Sequence, residues 1–230
     1  MVGRSVVVTG GGGGLGGAVV ASFVEAGWRV VVPRRGGPAG SEPAADGLVS
    51  LGADLTDPAD VARVVEAAAA DPAAPLRAVV NLVGGYASGG LVHETPVEEF
   101  ERMLTVNLRP TYLVTQAALP HLVAAGGGAV VCVSARAAVS PFAGAAGYVT
   151  AKAAVLAFAN AVAVEYRSRG VRCNTVLPSV IDTPTNRAAQ PDADHSRWVS
   201  PAEIAPVIRF LASPDSAPTS GATVPVYGRA

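Results

Sequence analysis

A doubly wound α/β fold, one parallel sheet with helices on both faces, is the class this sequence predicts. Three observations predict it. Short runs of Val, Leu and Ala, apolar throughout, recur along the chain, as strands buried on both faces require. Between them lie longer segments with apolar residues at steps of three and four, the period of a helix resting on a sheet. A glycine-dense stretch, residues 9–17 (TGGGGGLGG), falls between the first strand and the first helix, where such a fold turns tightly.

The elements follow in order. Ser5 to Val8 is β-branched and suits a buried strand. Leu15, Ala18, Val19, Ser22, Phe23 and Ala26 share one helix face, and Gly27 stands where a helix commonly stops. Val30 to Val32 is a second strand, residues 34–47 a Gly/Pro/Ala-rich loop, and Leu48 to Leu51 a short third strand. Thr56-Asp57-Pro58 opens a helix through Val61, Val64, Val65 and Ala68. Leu76 to Val83 is the next strand. Helix is expected from Val97, and again from Asn107 to Ala124, until Gly126-Gly127-Gly128 breaks it. Ala129 to Ser134 is strand, Ala146 to Ser168 a long helix, and Val171 to Leu177 a strand stopped by Pro178. Ser200-Pro201-Ala202-Glu203 is a capping box for a helix to about Ala212, and Thr223 to Val226 a last strand. Thr183 to Val199 is polar without a clear period and reads as a mobile loop over the crevice. Ligands of such a sheet bind beyond the carboxyl ends of its strands.

Length fits one domain, residues 1–230, with a sizeable core. The net charge of −1 and the lack of a basic block argue against a nucleic-acid partner. No uninterrupted apolar run reaches a membrane span, and the glycines interrupt any signal peptide, so a soluble, cytoplasmic chain is expected. Cys132 and Cys173 each lie in a buried strand and read as inert small hydrophobes. His93, His121 and His195 are scattered, so no metal site is expected.

Three motifs carry chemistry. Glycines between strand and helix let backbone approach a pyrophosphate, and the helix N-terminus offers it free N–H groups; the alternative is a tight turn with no ligand. No Lys-Ser or Lys-Thr follows, which sets aside a nucleoside-triphosphatase loop. The second strand ends in Pro33-Arg34-Arg35; arginine at that place suits the 2′-phosphate of NADP, whereas a carboxylate would take the ribose of NAD. The alternative is two solvated surface charges. Tyr148 and Lys152 stand four apart on a helix and share a face. A cation beside the phenol is expected to lower its ordinary value near 10 and make it a usable acid for a carbonyl oxygen, or a base for an alcohol. An ordinary amphipathic helix is the plain alternative.

Over nearly its full length the chain resembles the short-chain dehydrogenase/reductase family. Thr9-Gly10-Gly11-Gly12-Gly13-Gly14-Leu15-Gly16 is similar to the family's cofactor loop T-G-x-x-x-G-x-G, and Tyr148-Val149-Thr150-Ala151-Lys152 to its Y-x-x-x-K. The resemblance implies a Rossmann-type fold and an NAD(P)H-dependent oxidoreductase of a small-molecule carbonyl, imine or quinonoid group; the preference for NADPH is read from Arg34 and Arg35. It implies that Asp54, with Leu55, meets the adenine; that Asn81, in Asn81-Leu82-Val83-Gly84-Gly85, matches the N-A-G segment; that Asn107 holds a proton-relay water; and that Thr183, after Pro178, contacts the nicotinamide carboxamide. A homo-oligomer, tetramer or dimer, is implied too. Three departures stand out. Ala135 occupies the slot of the family's serine, leaving Ser134, or less readily Ser140, as a stand-in. Pro178-Ser179 replaces Pro-Gly. The loop from Thr183 is short. Gly84-Gly85-Tyr86, Ser134-Ala135-Arg136-Ala137-Ala138 and Leu177 to Arg187 also resemble the dihydropteridine reductase branch, which usually prefers NADH. The departure at Ala135 keeps a second reading open: a dinucleotide-binding sensor or partner subunit with little turnover.

Overall fold

The computed structural model describes residues 3–36, 42–45 and 47–229. Eight strands form one sheet in the order β3-β4-β2-β1-β5-β6-β7-β8. They are β1 (Ser5–Thr9), β2 (Arg29–Arg34), β3 (Glu42–Ala45), β4 (Leu48–Gly52), β5 (Leu76–Asn81), β6 (Gly128–Val133), β7 (Val171–Pro178) and β8 (Thr223–Val226). Every pairing is parallel except that of edge strand β3 with β4. The doubly wound class holds, because Val6, Val7 and Val8 are buried alternately under two helical layers. One layer is α1 (Gly14–Glu25) with α6 (Pro201–Ala212); the other is α2 (Pro58–Ala69), α3 (Val97–Ala124) and α4 (Ala146–Glu165).

Four expectations need correction. Part of the loop at 34–47 is strand β3, an antiparallel edge whose Pro and Ala carry no buried-strand signal; residues 37–41 and 46 lie outside the described residues. Helix α3 is one 28-residue helix running through Pro110 and Pro120, not two pieces. Packing against α2, α4 and β5 outweighs the hydrogen bond each proline removes. Within 183–199 the chain forms α5 (Pro184–Ala189), whose N-cap Thr183 accepts from Asn186 N, and a 3-10 turn at His195–Arg197. Finally, α4 is long and apolar enough by composition to cross a membrane. Here one face of it packs on α3 and β7, and Val164 is exposed.

The helix caps differ by position. α2 is capped by Asp57 and α6 by the expected Ser200/Glu203 box. α1 and α4 have no side-chain cap and no acidic residue in the first turn. Their N-terminal N–H groups are left for something else.

Candidate active site at the carboxyl ends of the strands

The glycine turn is built from contacts that admit no side chain. Gly10 has φ +69° and Gly13 N donates to its carbonyl at 2.9 Å. A Cβ on Gly16 would stand 2.0 Å from Gly10 O, so α1 enters directly under the turn. Leu15 anchors that entry in the core beside Val19. Gly12, Gly13 and Gly14 are exposed. The uncapped α1 N-terminus therefore faces open space, a fit for a pyrophosphate. Thr9 ties β1 to β5: its Oγ1 donates to Val80 O at 3.3 Å and accepts from Leu82 N at 3.0 Å. A Cβ on Gly14 would meet Thr183 Cγ2 at 2.6 Å, so Thr183, carried just past Pro178 at the end of β7, stands against the glycine loop.

Arg34 and Arg35 are exposed at the end of β2, and Arg34 O accepts from Ala53 N at 3.0 Å. Asp54 is exposed next to them. Its carboxylate accepts from Thr56 N at 2.9 Å and Thr56 Oγ1 at 2.7 Å. Those bonds, and to a lesser degree Arg35, hold its carboxyl pKa below the usual carboxylate range. Leu55 turns inward instead and packs in the core with Val61.

Tyr148 and Lys152 sit in the first turns of α4, and Lys152 is the chain's one lysine among 17 Lys and Arg residues. Lys152 is buried and its Nζ donates to Val133 O at 3.2 Å. A Cβ on Gly84 would lie 3.0 Å from this Nζ and 2.5 Å from Asn107 Oδ1, so the bare Gly84 lets both groups converge. Asn107 is itself buried, accepting from Gly85 N at 3.2 Å and donating to Gly85 O at 3.0 Å and Met103 O at 2.9 Å.

The expected acidity of Tyr148 is reversed. Burial, with a smaller contribution from Tyr86, pushes its phenol up to about 12. Burial pushes the Lys152 ammonium down to about 8. The reason is geometric: Nζ lies 6.0 Å from the Tyr148 ring centroid and is turned to the Val133 carbonyl. Desolvation then outweighs the attraction that helical spacing suggests. At neutral pH the pair is a neutral phenol beside a largely charged ammonium.

Two other side chains point away from the crevice. Ser134 is buried and donates its hydroxyl proton to Lys152 O at 2.7 Å. Its single O–H braces α4, and the adjoining serine slot offers the methyl of Ala135. Asn81 donates to Thr115 Oγ1 at 3.0 Å and contacts Cys132 Sγ at 3.8 Å, facing α3; its own Oδ1 is buried without a partner. Cys132 and Cys173 are both free and buried. Among the described residues, no three His, Cys, Asp or Glu side chains gather as a metal site.

Sequence reasoning gave no role to Tyr86. Its ring meets that of Tyr148 edge-on, with centroids 5.0 Å apart and planes at 80°, and its hydroxyl donates to Ser88 Oγ at 2.7 Å. The available signal was position: an aromatic two residues past the Gly84 gap, on the loop leaving β5 at the carboxyl end.

A family model described as short chain dehydrogenase matches residues 4–194. The 2-(R)-hydroxypropyl-CoM dehydrogenase of Xanthobacter autotrophicus is 32% identical, over 98% of this chain and 97% of its own. The 3-oxoacyl-acyl-carrier-protein reductase MabA of Mycobacterium tuberculosis is 32% identical, over 99% of this chain and 92% of its own. Among solved structures, a short-chain type dehydrogenase/reductase from Mycobacterium ulcerans superposes with a TM-score of 0.88 at 27% identity, covering 98% of this chain and 89% of that one.

Proposed function

This chain belongs to the short-chain dehydrogenase family, whose members are oxidoreductases that use a nicotinamide dinucleotide, and from that premise we propose an NADPH-dependent reductase of a small-molecule carbonyl, imine or quinonoid group, or the reverse alcohol oxidation. The observation that carries the reading is the convergence of Tyr148, Lys152 and Asn107 around Gly84, at the mouth of an uncapped glycine turn. The names of the two relatives describe an alcohol oxidation and a ketone reduction, which supports a carbonyl/alcohol pair over the imine or quinonoid substrate suggested by likeness to the dihydropteridine reductase branch.

Gly10 to Gly16, Arg34, Arg35, Asp54 and Thr183 would hold the dinucleotide, which supplies hydride when bound. Tyr148, protonated at neutral pH, gives its proton to the substrate oxygen. The buried Lys152 ammonium favours the phenolate left behind, and Asn107 holds the Gly84-Gly85 backbone against the lysine. A phenol pushed up to about 12 stays protonated at neutral pH, the form that donates to a carbonyl oxygen. NADPH over NADH rests on the exposed Arg34-Arg35 pair. The apolar side chains of Tyr112 and Val164, exposed on α3 and α4, support a homo-oligomer.

The test is a panel of ketones, imines and quinonoid pterins, followed by loss of NADPH absorbance. Tyr148→Phe should abolish turnover and leave NADPH binding within a few-fold; a fully active variant contradicts the assignment. Replacing Arg34 and Arg35 by Ala should erase the preference for NADPH over NADH. A second reading, a dinucleotide-binding sensor, is favoured by the commitment of Ser134 to the Lys152 carbonyl. Silence across the panel with tight NADPH binding would select it.

A further inference from the structure

The reacting oxygen of a reductase gains charge and needs more than one donor. On the β6 side of this crevice the two nearest candidates do not supply it: the slot holds Ala135, and the Ser134 hydroxyl is spent on Lys152 O at 2.7 Å. The opposite wall is different. There the loop after β5 is clamped by Asn107 at Gly85 and then presents Tyr86, 59% exposed, edge-on to the Tyr148 ring. The same loop is pinned to the approach of α4 by Gly89 N donating to Gly144 O at 2.8 Å. A Cβ on Gly144 would stand 3.1 Å from Gly89 O, so the two segments meet backbone to backbone. Tyr86 and Tyr148 are thus carried by two strips of chain tied to one another, with their rings in contact.

We propose that Tyr86 supplies the second hydroxyl of the reacting centre, with Ser88 as the acceptor that holds its proton until a substrate oxygen replaces it. The proposal rests on the reductase reading above and names a catalytic group that reading lacks. Tyr148 transfers its proton; Tyr86 donates a hydrogen bond and keeps its own, so the count of electrons and protons in the reduction is unchanged. An exposed phenol whose hydrogen-bonded partner among the described residues is a serine hydroxyl two residues on is free to make that exchange. That the Tyr86 phenol also raises the Tyr148 value agrees with two neighbouring hydroxyls.

Tyr86→Phe keeps the ring and removes the donor. On the ketone that the panel turns over fastest, it should lower kcat about 100-fold, the usual effect of losing one such donor, with KM within threefold. Adding Ala135→Ser to that variant restores a hydroxyl on the β6 side and should recover at least tenfold of the loss. Wild-type kcat in Tyr86→Phe, or a rise in KM alone, would overturn the proposal and leave Tyr86 a mere wall. A second arm needs no turnover. In protein labelled with carbon-13 at tyrosine Cζ, the Tyr148 signal, assigned by Tyr148→Phe, should titrate at lower pH in Tyr86→Phe than in wild type; an unmoved titration means the hydroxyls are not neighbours and also overturns it. Activity surviving in Tyr148→Phe would sink the reductase mechanism by itself, while the titration arm would still decide where the Tyr86 hydroxyl lies.

Discussion

The two ends of the sheet use their polar groups in opposite ways. At the amino ends of the strands lies a hollow of about 780 Å³, lined by Arg4, Arg77, Arg167 and Arg172 with Trp28 and several glycines. At the carboxyl ends, the hollow beside Tyr148 holds only about 10 Å³. Size and charge alone would place a ligand at the amino ends, away from the residues proposed to hold the dinucleotide. The arginines there are largely occupied: Arg77 donates to Ala125 O where α3 ends, and Arg172 to Leu211 O at 2.9 Å and Ser213 O at 2.8 Å where α6 ends. Arg4 stacks over Trp28 at 5.6 Å. Arg77 and Arg172 satisfy the negative ends of helices. At the other end α1 and α4 leave their positive ends uncapped, and the chain places its one lysine in a dry site. What distinguishes the site is unspent bonding capacity rather than volume.

That contrast can be broken by substitution. The largest effect is expected at Gly16→Ala, whose new Cβ has no room beside Gly10 O; it should cost about 3 kcal/mol of stability in a urea melt, and dinucleotide affinity should fall with it. Next comes pH. The folded state pushes the Lys152 ammonium from 10.5 down to about 8, so the unfolded chain binds its proton more tightly. Stability from this group should therefore rise between pH 8 and pH 10, by about 2 kcal/mol. Tyr148, shifted up, acts only above that window. The wild-type minus Lys152→Met difference in melts at the two pH values isolates the lysine. At the amino end, Arg172→Met should cost about 2 kcal/mol, about 6 °C in Tm, by stranding the α6 carbonyls, yet leave kcat unchanged. Lost turnover in a folded Arg172→Met would show that the arginine hollow serves the reaction. The smallest effect belongs to Gly12→Ala, where nothing stands within 4 Å of the new Cβ; its stability should stay within about 0.5 kcal/mol.

Much of this was legible in the sequence, for a physical reason. Strands of a parallel sheet covered on both faces must be apolar at every position, so β1, β2, β5, β6 and β7 announce themselves. The glycine turn was readable because crowding around Gly10 and Gly16 excludes any other residue. Strand β3 was not, because an edge needs neither face buried. Helix α3 was read as two pieces, the second from Asn107, because its apolar period is broken where tertiary packing keeps one helix. At the site, helical spacing put Tyr148 and Lys152 on one face but carried no information on depth or on where Nζ points. Burial and the Val133 carbonyl reversed the expected acidity. Strand alternation allowed Ser134 to face away, and its bond to Lys152 O shows that it does. Tyr86 escaped notice because its part depends on a neighbour 62 positions along the chain, brought close by the Gly89–Gly144 bond.

The central claim is that a dry, ammonium-bearing lysine lies under the tyrosine. Since Lys152 is the chain's one lysine, protein labelled with carbon-13 lysine gives a single side-chain resonance to follow with pH, without added cofactor. The account predicts a midpoint of about 8. A midpoint near the ordinary 10.5 would mean that Nζ sits in water, and the proton chemistry assigned to this site would be contradicted.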